Sequence, residues 1–437
     1  MNKFKSENIN HKTADISSPA DKKLKFEEYV TGNGLSCIFY RDNSNPLVGV
    51  TLGYHVGSRD EAPHKKGIAH LFEHLMFQGS DNVKRGEHMK YVQNIGGICN
   101  AFTMQDFTVY FDVVPSNQLE AALWLESDRM NSLDFTEENL NNQKQVVIEE
   151  KKQRYDNAPY GMAFHNIFKT LFRDSNYESP VIGYDDDILS FTLDEAIDFH
   201  KTYYSPENSF LVLSGDFDRD NAVALIEKYF GSVKNGGMPP RRENVIKEMS
   251  GDVYSVIHDD VSLPVLYIAF QIPKAGTDES YTIDYFADVI ANDKSSRLYK
   301  RLIYDMQAAK SVHALKYQLQ DAGIFLIRAE LNVDGNIDLV ENVIYEEMNN
   351  MIDKGITDYE YEKVSNGIEF YHASSLSTVQ KIGMDTLFNK MQFDDVDLIN
   401  RKSQIYRSYS QEDILRSSEK CFKDKYKFVM KYIPKKY

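Results

Sequence analysis

Residues 67–77 read GIAHLFEHLMF and contain two histidines, His70 and His74, that lie four positions apart. In a helix with about 3.6 residues per turn, this spacing puts both imidazoles on one face, with Glu73 beside them. Two neutral imidazoles can hold a catalytic zinc ion, and a nearby carboxylate can accept a proton from the water that such an ion activates. The segment therefore predicts a helix that carries a metal site.

The residues that flank the two histidines favour a metal site over the alternative that both are ordinary helix residues. A pattern with three fixed positions also occurs by chance, and histidines at helical spacing are often ordinary helix residues. Here Gly67 and Gly79 bracket an otherwise apolar run, which predicts a short, buried helix. Because buried ionisable groups are costly unless they are paired or bound to a metal, we favour a metal site.

Length and composition indicate the class of protein. A chain of 437 residues, 42% hydrophobic and 27% charged, is expected to fold as a globular protein with two or more domains. No apolar run approaches the ~20 residues that a membrane span requires. The first 25 residues lack the apolar core of a signal peptide. This predicts a cytoplasmic protein, or a periplasmic one if an export signal has been removed.

Net charge and cysteine content limit the classes of partner and the kinds of cysteine site that we expect. The formal net charge of −16 argues against nucleic acid as a partner. An acidic surface could favour basic peptides, but it more often serves solubility alone. The widely spaced cysteines Cys37, Cys99 and Cys421 include no CxxC pair, so we expect buried thiols rather than disulfides or a thiolate zinc site.

The order of predicted elements repeats along the chain. Polar residues 1–24 are expected to form a flexible arm, and residues 231–245, which hold glycines and prolines, a linker. Residues 25–230 and 246–437 then form two α+β halves, of which only the first carries the paired histidines. The predicted strands are a hairpin at 27–39 and strands at 47–56, 100–114, 209–214, 265–272 and 323–331. The predicted helices after 67–77 are 87–94, 118–130, 137–154, 281–290, 296–304 and 337–354.

A third ligand is needed beyond the two histidines, because a catalytic zinc ion usually takes three protein ligands. The run VVIEE at residues 146–150 ends an apolar stretch of a predicted helix with Glu149 and Glu150. Taken alone this pair is a weak candidate, since adjacent glutamates usually lie on the surface.

Together these features resemble the M16 metallopeptidases, a family that includes pitrilysin, insulin-degrading enzyme and the mitochondrial processing peptidase. The His-x-x-Glu-His motif, in the inverted order of the inverzincins, is followed by Glu150 after 75 intervening residues. Further similar blocks follow in the family's order, firmly over residues 26–230 and more loosely beyond. These blocks are GSRDE at 57–61, GGICNA at 96–101, Pro115 with LWLESDRM at 123–130, VVIEE at 146–150 and LSGD at 213–216.

The resemblance implies an α+β fold of two similar domains, each a mostly antiparallel β-sheet with helices packed on one side. It implies that His70, His74 and Glu150 bind one zinc ion. Glu73 would be the general base of an endopeptidase. Glu149 would point elsewhere, unless the adjacent pair is reversed. The edge strand to which an extended peptide pairs would contain Asn100, Ala101, Phe102 and Thr103.

The chain departs from the family at two places. Most active relatives carry a second glutamate one helical heptad before the third ligand, where this chain has Gln143. We therefore expect the surroundings of the metal to tune it more weakly or by other groups. Relatives with complete sites also carry an arginine and a tyrosine that hold the substrate and stabilise the oxyanion. Here those two positions are Ile303 and Lys310.

These departures predict how the protein assembles. The resemblance implies a catalytic chamber built by two facing halves, within one long chain or between two subunits of about this length. We therefore expect a heterodimer in which this chain holds zinc and a homologous subunit without HxxEH supplies the arginine and tyrosine; a homodimer is the fallback. The expected substrates are peptides that fit an enclosed chamber. The alternatives are a non-catalytic scaffold and a peptide-binding subunit that holds zinc but turns over slowly.

Overall fold

A computed structural model of the protein describes residues 23–239, 241–333 and 335–435. Nearly all of the predicted flexible arm, residues 1–24, lies outside the described residues. The strands are β1 (Phe26–Val30), β2 (Ser36–Arg41), β3 (Leu47–Tyr54), β4 (Ile98–Thr103), β5 (Thr108–Pro115), β6 (Ser209–Gly215), β7 (Val253–Asp259), β8 (Val265–Ile272), β9 (Ala309–Gln318), β10 (Gly323–Leu331) and β11 (Phe428–Pro434). The helices are α1 (Ile68–Leu75), α2 (His88–Asn94), α3 (Leu119–Asn131), α4 (Glu137–Lys151), α5 (Ala163–Leu171), α6 (Asp185–Ser190), α7 (Leu193–Tyr203), α8 (Arg219–Phe230), α9 (Asp278–Ile290), α10 (Ile337–Lys354), α11 (Asp358–Ser375), α12 (Val379–Phe393), α13 (Leu398–Ser408) and α14 (Gln411–Phe422).

The first sheet has six strands in the order β1-β2-β6-β3-β5-β4, and every adjacent pair except β2 and β6 is antiparallel. The predicted hairpin at 27–39 is confirmed, with Tyr29 opposite Cys37. Its turn depends on Gly34, whose φ of 93° lies in the left-handed region that glycine adopts without strain. Strand β4 ends the sheet, so one side of its backbone is left without a strand partner.

The second sheet repeats the strand order of the first. Its five strands run β7-β11-β8-β10-β9, and only β7 and β11 pair in parallel. In the first sheet, the last strand of the half, β6, lies between β2 and β3. In the second sheet, the last strand, β11, lies between β7 and β8 in the same way. The sheets therefore match strand for strand, with β1 as an addition to the first. This confirms the predicted α+β fold of two similar, mostly antiparallel halves.

One predicted strand and two predicted helices differ from the structure. The stretch 100–114 is a hairpin, β4 and β5, closed by a hydrogen bond from the Met104 N–H to the Phe107 carbonyl at 2.8 Å. Its turn holds neither glycine nor proline, and the single Asp106 is a weak turn signal within an otherwise strand-like run. The helix predicted at 137–154 ends at Lys151 and continues as a π-helical segment, Lys152–Asp156. The helix predicted at 296–304 is the π-helical segment Tyr299–Asp305.

The two halves exchange helices across their sheets. Each sheet packs its own helices on one face, as the resemblance implies, and receives a helix from the other half on the opposite face. Helix α12 contributes Leu387 and Met391 to a buried cluster with Ile38, Val109 and Val212 of the first sheet. Helix α5 covers the second sheet in a cluster that contains Ala163, Ile167, Phe168, Leu171, Tyr267, Ala269, Ile324, Leu326, Phe428 and Met430. The exchange packs both faces of each sheet.

Substitution of Gly383 in α12 tests how closely this helix packs against the first sheet. A Cβ at Gly383 would lie 2.8 Å from Thr51 Oγ1 and 3.0 Å from Ser214 Oγ, both in the first sheet. We expect Gly383→Leu to lower the free energy of unfolding by about 1–3 kcal/mol because it overpacks this contact. The matched control is Gly367→Leu on α11, where a Cβ meets nothing within 4 Å. This control should raise stability by about 0.5–1 kcal/mol through helix propensity. Urea unfolding measures both, and equal shifts would contradict the packing argument.

Candidate metal centre

Helix α1 is fixed at its N-terminus by the buried side chain of Glu61. Its carboxyl oxygens accept the Gly67 N–H at 3.0 Å and the Ala69 N–H at 2.9 Å. Burial raises the pKa of Glu61 to about 8, so near pH 7 the group acts chiefly as a hydrogen-bond acceptor. Gly67 has a φ of 99°, and a Cβ there would lie 2.7 Å from the Ile182 carbonyl oxygen. The predicted short, buried helix is therefore present, and its start is held from both sides.

The three predicted ligands come together from two helices. Glu150 Oε2, on α4, lies 3.1 Å from His74 Nε2 and 3.7 Å from His70 Nε2, both on α1. One ligand atom from each residue lies within 4.8 Å of the others. Among the described residues, neither Glu150 Oε2 nor His70 Nδ1 has a hydrogen-bond partner, although both atoms are buried. Three lone-pair donors that converge on one point, a buried carboxylate oxygen among them, fit a metal ion.

The electrostatics of the cluster suit a divalent cation. Burial, reinforced by the neighbouring His74, lowers the pKa of His70 to about 4, so this imidazole is neutral near pH 7. The pKa of Glu150 is lowered, chiefly by its contact with His74, so the carboxylate is ionised. Arg154 Nη1 lies 2.8 Å from Glu150 Oε1, which leaves Oε2 directed at the histidines. Neutral imidazoles and one carboxylate are the donor set of many catalytic zinc sites.

Glu73 lies next to the cluster and is oriented by strand β4. Its Oε2 accepts a hydrogen bond from Thr103 Oγ1 at 2.7 Å. Burial raises the pKa of Glu73, which makes the carboxylate a better proton acceptor than an exposed glutamate. On the same strand, the Ala101 N–H donates to its neighbour Asn100 Oδ1 at 2.9 Å. The four predicted substrate residues therefore lie on an edge strand that contacts the predicted base.

The two remaining predicted positions lie on α4. Gln143 is buried and precedes Glu150 by seven residues, two helical turns. Glu149 is exposed and its Oε1 accepts from Lys152 Nζ at 2.7 Å. Of the adjacent glutamates, it is thus Glu150 that faces the histidines.

A second group of metal-ligand types is buried in the core of the first half. His88, Asp112 and Glu126 place one ligand atom each within 4.8 Å of the others. Here, however, the buried Arg129 already supplies a cation, since its Nε donates to Glu126 Oε2 at 3.0 Å and its Nη2 contacts Oε1. We interpret this group as a buried ion-pair network.

A cavity of about 600 Å³ opens over the metal cluster. Sequence reasoning missed two of its polar residues, His165 on α5 and Tyr317 on β9 of the second half. No local pattern identifies them, because only the exchange of helices and the meeting of the halves bring them to the cavity. Its apolar lining consists of Phe77, Met89, Ala101, Phe102, Phe164, Phe168, Pro180, Val181 and Ile182.

The positions where arginine and tyrosine were expected lie elsewhere. Ile303 packs against the core of the second half, and Lys310 Nζ donates to Glu330 Oε1 at 3.1 Å with its side chain 64% exposed. Neither residue lines the cavity over the histidines. Tyr317 does reach that cavity, but its hydroxyl donates to Gln105 Oε1 at 2.8 Å.

Comparison with known proteins assigns the family. The sequence model described as Insulinase (Peptidase family M16) matches residues 37–185. The model described as Peptidase M16 inactive domain matches residues 190–368, mostly within the half that lacks HxxEH. The zinc protease PqqE of Helicobacter pylori is 30% identical over 420 residues, 94% of this chain and 94% of PqqE. The chain therefore belongs to peptidase family M16.

Other relatives agree with this assignment. YmxG of Bacillus subtilis, described as an uncharacterized zinc protease, is 25% identical over 77% of this chain and 81% of its own length. The crystal structure of a protease from Helicobacter pylori matches with a TM-score of 0.89 and 28% identity, over 94% of this chain and 100% of that one. The family and fold implied by the sequence are thus confirmed. Among the described residues, no helix is long and apolar enough to cross a membrane.

Proposed function

We propose that this chain is a zinc-dependent endopeptidase that hydrolyses peptides within an enclosed chamber. The observation that supports this most strongly is the convergence of His70, His74 and Glu150, which place one ligand atom each within 4.8 Å of the others. Glu73 lies beside that point in a cavity large enough for several peptide side chains. A non-catalytic scaffold has no need for ligands, base and cavity in one place.

The proposed chemistry divides between the metal and the chain. His70, His74 and Glu150 would hold the zinc ion, which would supply an acidified water and a Lewis acid for the peptide carbonyl. Glu73 accepts the proton of the attacking water and delivers it to the departing amine nitrogen. The peptide pairs as an added strand with the open edge of β4, which sets its backbone beside Glu73. The apolar cavity lining excludes water and receives apolar side chains of the substrate.

Metal content tests the ligand set directly. We expect about one zinc ion per chain in the purified protein and about 0.1 or fewer in His74→Ala and Glu150→Ala, because three ligands are needed to hold it. The matched control is Glu149→Ala, which removes the adjacent carboxylate that faces Lys152 and should retain the metal. Plasma emission spectrometry after dialysis measures all four proteins. Loss of zinc from the Glu149 variant and not from the Glu150 variant would reverse the assignment.

The role of Glu73 is separable from metal binding. Glu73→Gln keeps the size of the side chain and can still accept the Thr103 hydrogen bond, but it cannot take up a proton. We expect zinc content to stay unchanged and kcat to fall by about 10²–10⁴-fold, the usual contribution of a general base. A quenched fluorescent peptide measures kcat on the assembled enzyme. Cleavage at the parental rate would refute Glu73 as the base.

We further propose that the active enzyme is a heterodimer. The positions that carry the arginine and tyrosine of complete family sites are Ile303 and Lys310 here, and neither lines the cavity, because Ile303 packs in a core and Lys310 pairs with Glu330. An aliphatic side chain cannot donate a hydrogen bond to a developing oxyanion. A homologous subunit that lacks HxxEH but carries both groups would complete the chamber.

Reconstitution tests the assembly. We expect the chain alone to cleave peptides slowly and an equimolar mixture with such a subunit to be faster by about 10²-fold or more, the usual effect of oxyanion donors. Sedimentation should show a one-to-one complex. Full activity of the chain alone, as a monomer or homodimer, would contradict the heterodimer. If two copies pair instead, the double variant Ile303→Arg, Lys310→Tyr should activate the chain without a partner.

A further inference from the structure

The turn between β4 and β5 is buried, although it is made of polar residues at the tip of a hairpin. Gln105 and Asp106 are only 6% and 3% exposed. The chain segment before α1 holds the turn from one side: the Arg59 N–H donates to the Gln105 carbonyl at 3.0 Å. At Gly57 a Cβ would lie 2.3 Å from that same carbonyl oxygen, so only glycine permits this approach. The turn is therefore a packed element and has little freedom to move.

The turn meets the corresponding turn of the second sheet. Residues 318–322 comprise the last residue of β9 and the turn that leads to β10, and the Gln320 N–H donates to Asp106 Oδ2 at 3.1 Å. Arg59 Nη1 lies between two carboxylates, 3.3 Å from Asp106 Oδ1 and 2.5 Å from Asp321 Oδ2. The Tyr177 hydroxyl donates to Asp106 Oδ1 at 2.7 Å. We call this meeting of residues 104–107 and 318–322 the turn junction.

The linker between the halves joins the turn junction as well. Arg241 Nη2 donates to the Asp106 carbonyl at 2.7 Å. Asn244 Nδ2 donates to Asp321 Oδ2 at 3.0 Å. Each oxygen of Asp106 is thus engaged by a different part of the chain, which fixes the carboxylate in one position. Buried charged networks of this kind impose a geometry, because any displacement leaves charges unpaired.

The turn junction directly follows β4, the strand that lies beside the candidate site. Thr103, the last residue of β4, precedes the turn directly, and its hydroxyl holds Glu73 Oε2 at 2.7 Å. On the other side, Tyr317 lines the cavity and bonds to Gln105. A shift of the turn would therefore move the hydroxyl that orients Glu73. A displacement of about 1 Å can lower the rate of an enzyme by about 10²-fold.

We infer that Asp106 is a positioning residue, through which the second half of the chain sets the orientation of Glu73. The inference rests on the proposed role of Glu73 as the base. In this arrangement the half without HxxEH contributes to catalysis from within the same chain: its turn 318–322 holds Asp106, Asp106 fixes the end of β4, and Thr103 orients the carboxylate.

The test is a double-mutant cycle on the assembled, zinc-loaded enzyme. Asp106→Asn keeps the shape of the side chain and removes its charge. We expect kcat to fall by about 10-fold, with KM changed less than about 2-fold and zinc content unchanged. In a Thr103→Val background, the same change should lower kcat by less than about 2-fold, because the hydrogen bond from Thr103 to Glu73 is already absent. Thr103→Ser, which keeps the hydroxyl, should restore the sensitivity to Asp106→Asn.

Two further variants separate positioning from stability. Asp321→Asn acts at the partly exposed side of the turn junction and should lower kcat by about 3-fold, even if Asp106→Asn folds poorly. Glu28→Gln removes another ion pair between the halves, Lys390 to Glu28 at 2.9 Å, remote from the cavity, and should leave kcat unchanged. Equal kcat losses in the Thr103→Val and parental backgrounds, or zinc loss in parallel with kcat, would overturn the inference.

Amide hydrogen exchange tests the inference without any activity. Residues 98–103 should exchange faster in Asp106→Asn than in Glu28→Gln, because β4 loses its anchor. Unchanged exchange there would overturn the inference while leaving the proposed peptidase intact. Conversely, an inactive parental enzyme with faster exchange in Asp106→Asn would contradict the proposed function and not the anchoring of β4.

Discussion

The packing of α1 against α4 is the contact on which the candidate site depends, because it brings together predicted ligands that are separated by 75 intervening residues in the chain. Each helix is fixed by a buried polar side chain that bonds to backbone groups. Glu61 holds the N–H groups that begin α1. On α4, the buried Lys144 donates to the carbonyls of Leu189, at 3.2 Å, and Phe191. A pair of helices fixed in this way holds the three predicted ligands close together.

The exchange of helices makes the second half part of the site. Helix α12 covers the first sheet and α5 covers the second, so neither half buries its apolar faces alone. Separation of the halves would expose both clusters to water, which is unfavourable in proportion to the apolar area. The halves therefore stay together, and groups of the second half, such as Tyr317 and Gln320, can support the first without a hinge between them.

Sequence pattern predicted those parts of the molecule that depend on local geometry. Helical spacing placed His70 and His74 on one face, and the strand order repeats as the two halves suggested. The hairpin at 98–115 was missed because Asp106 is the one strong turn former between Met104 and Phe107. Tertiary contacts of Asp106 with Arg59 and the second half hold the turn. The contact with Gln320 joins residues 214 positions apart, and no window of sequence contains it.

The departures from the family pattern lie at positions that support the site, and the predicted ligands and base are all retained. Gln143, Ile303 and Lys310 replace side chains that tune the metal or bind the oxyanion, whereas the predicted ligands and base are all present. A scaffold under no demand for chemistry would have no reason to keep three converging donors with a buried, unpaired oxygen, since such a group costs about 1–3 kcal/mol when nothing binds it. A bound metal ion would offset this free-energy cost. The pattern therefore agrees with the proposal that this chain holds the metal and the base and shares the remaining steps of catalysis with a second subunit.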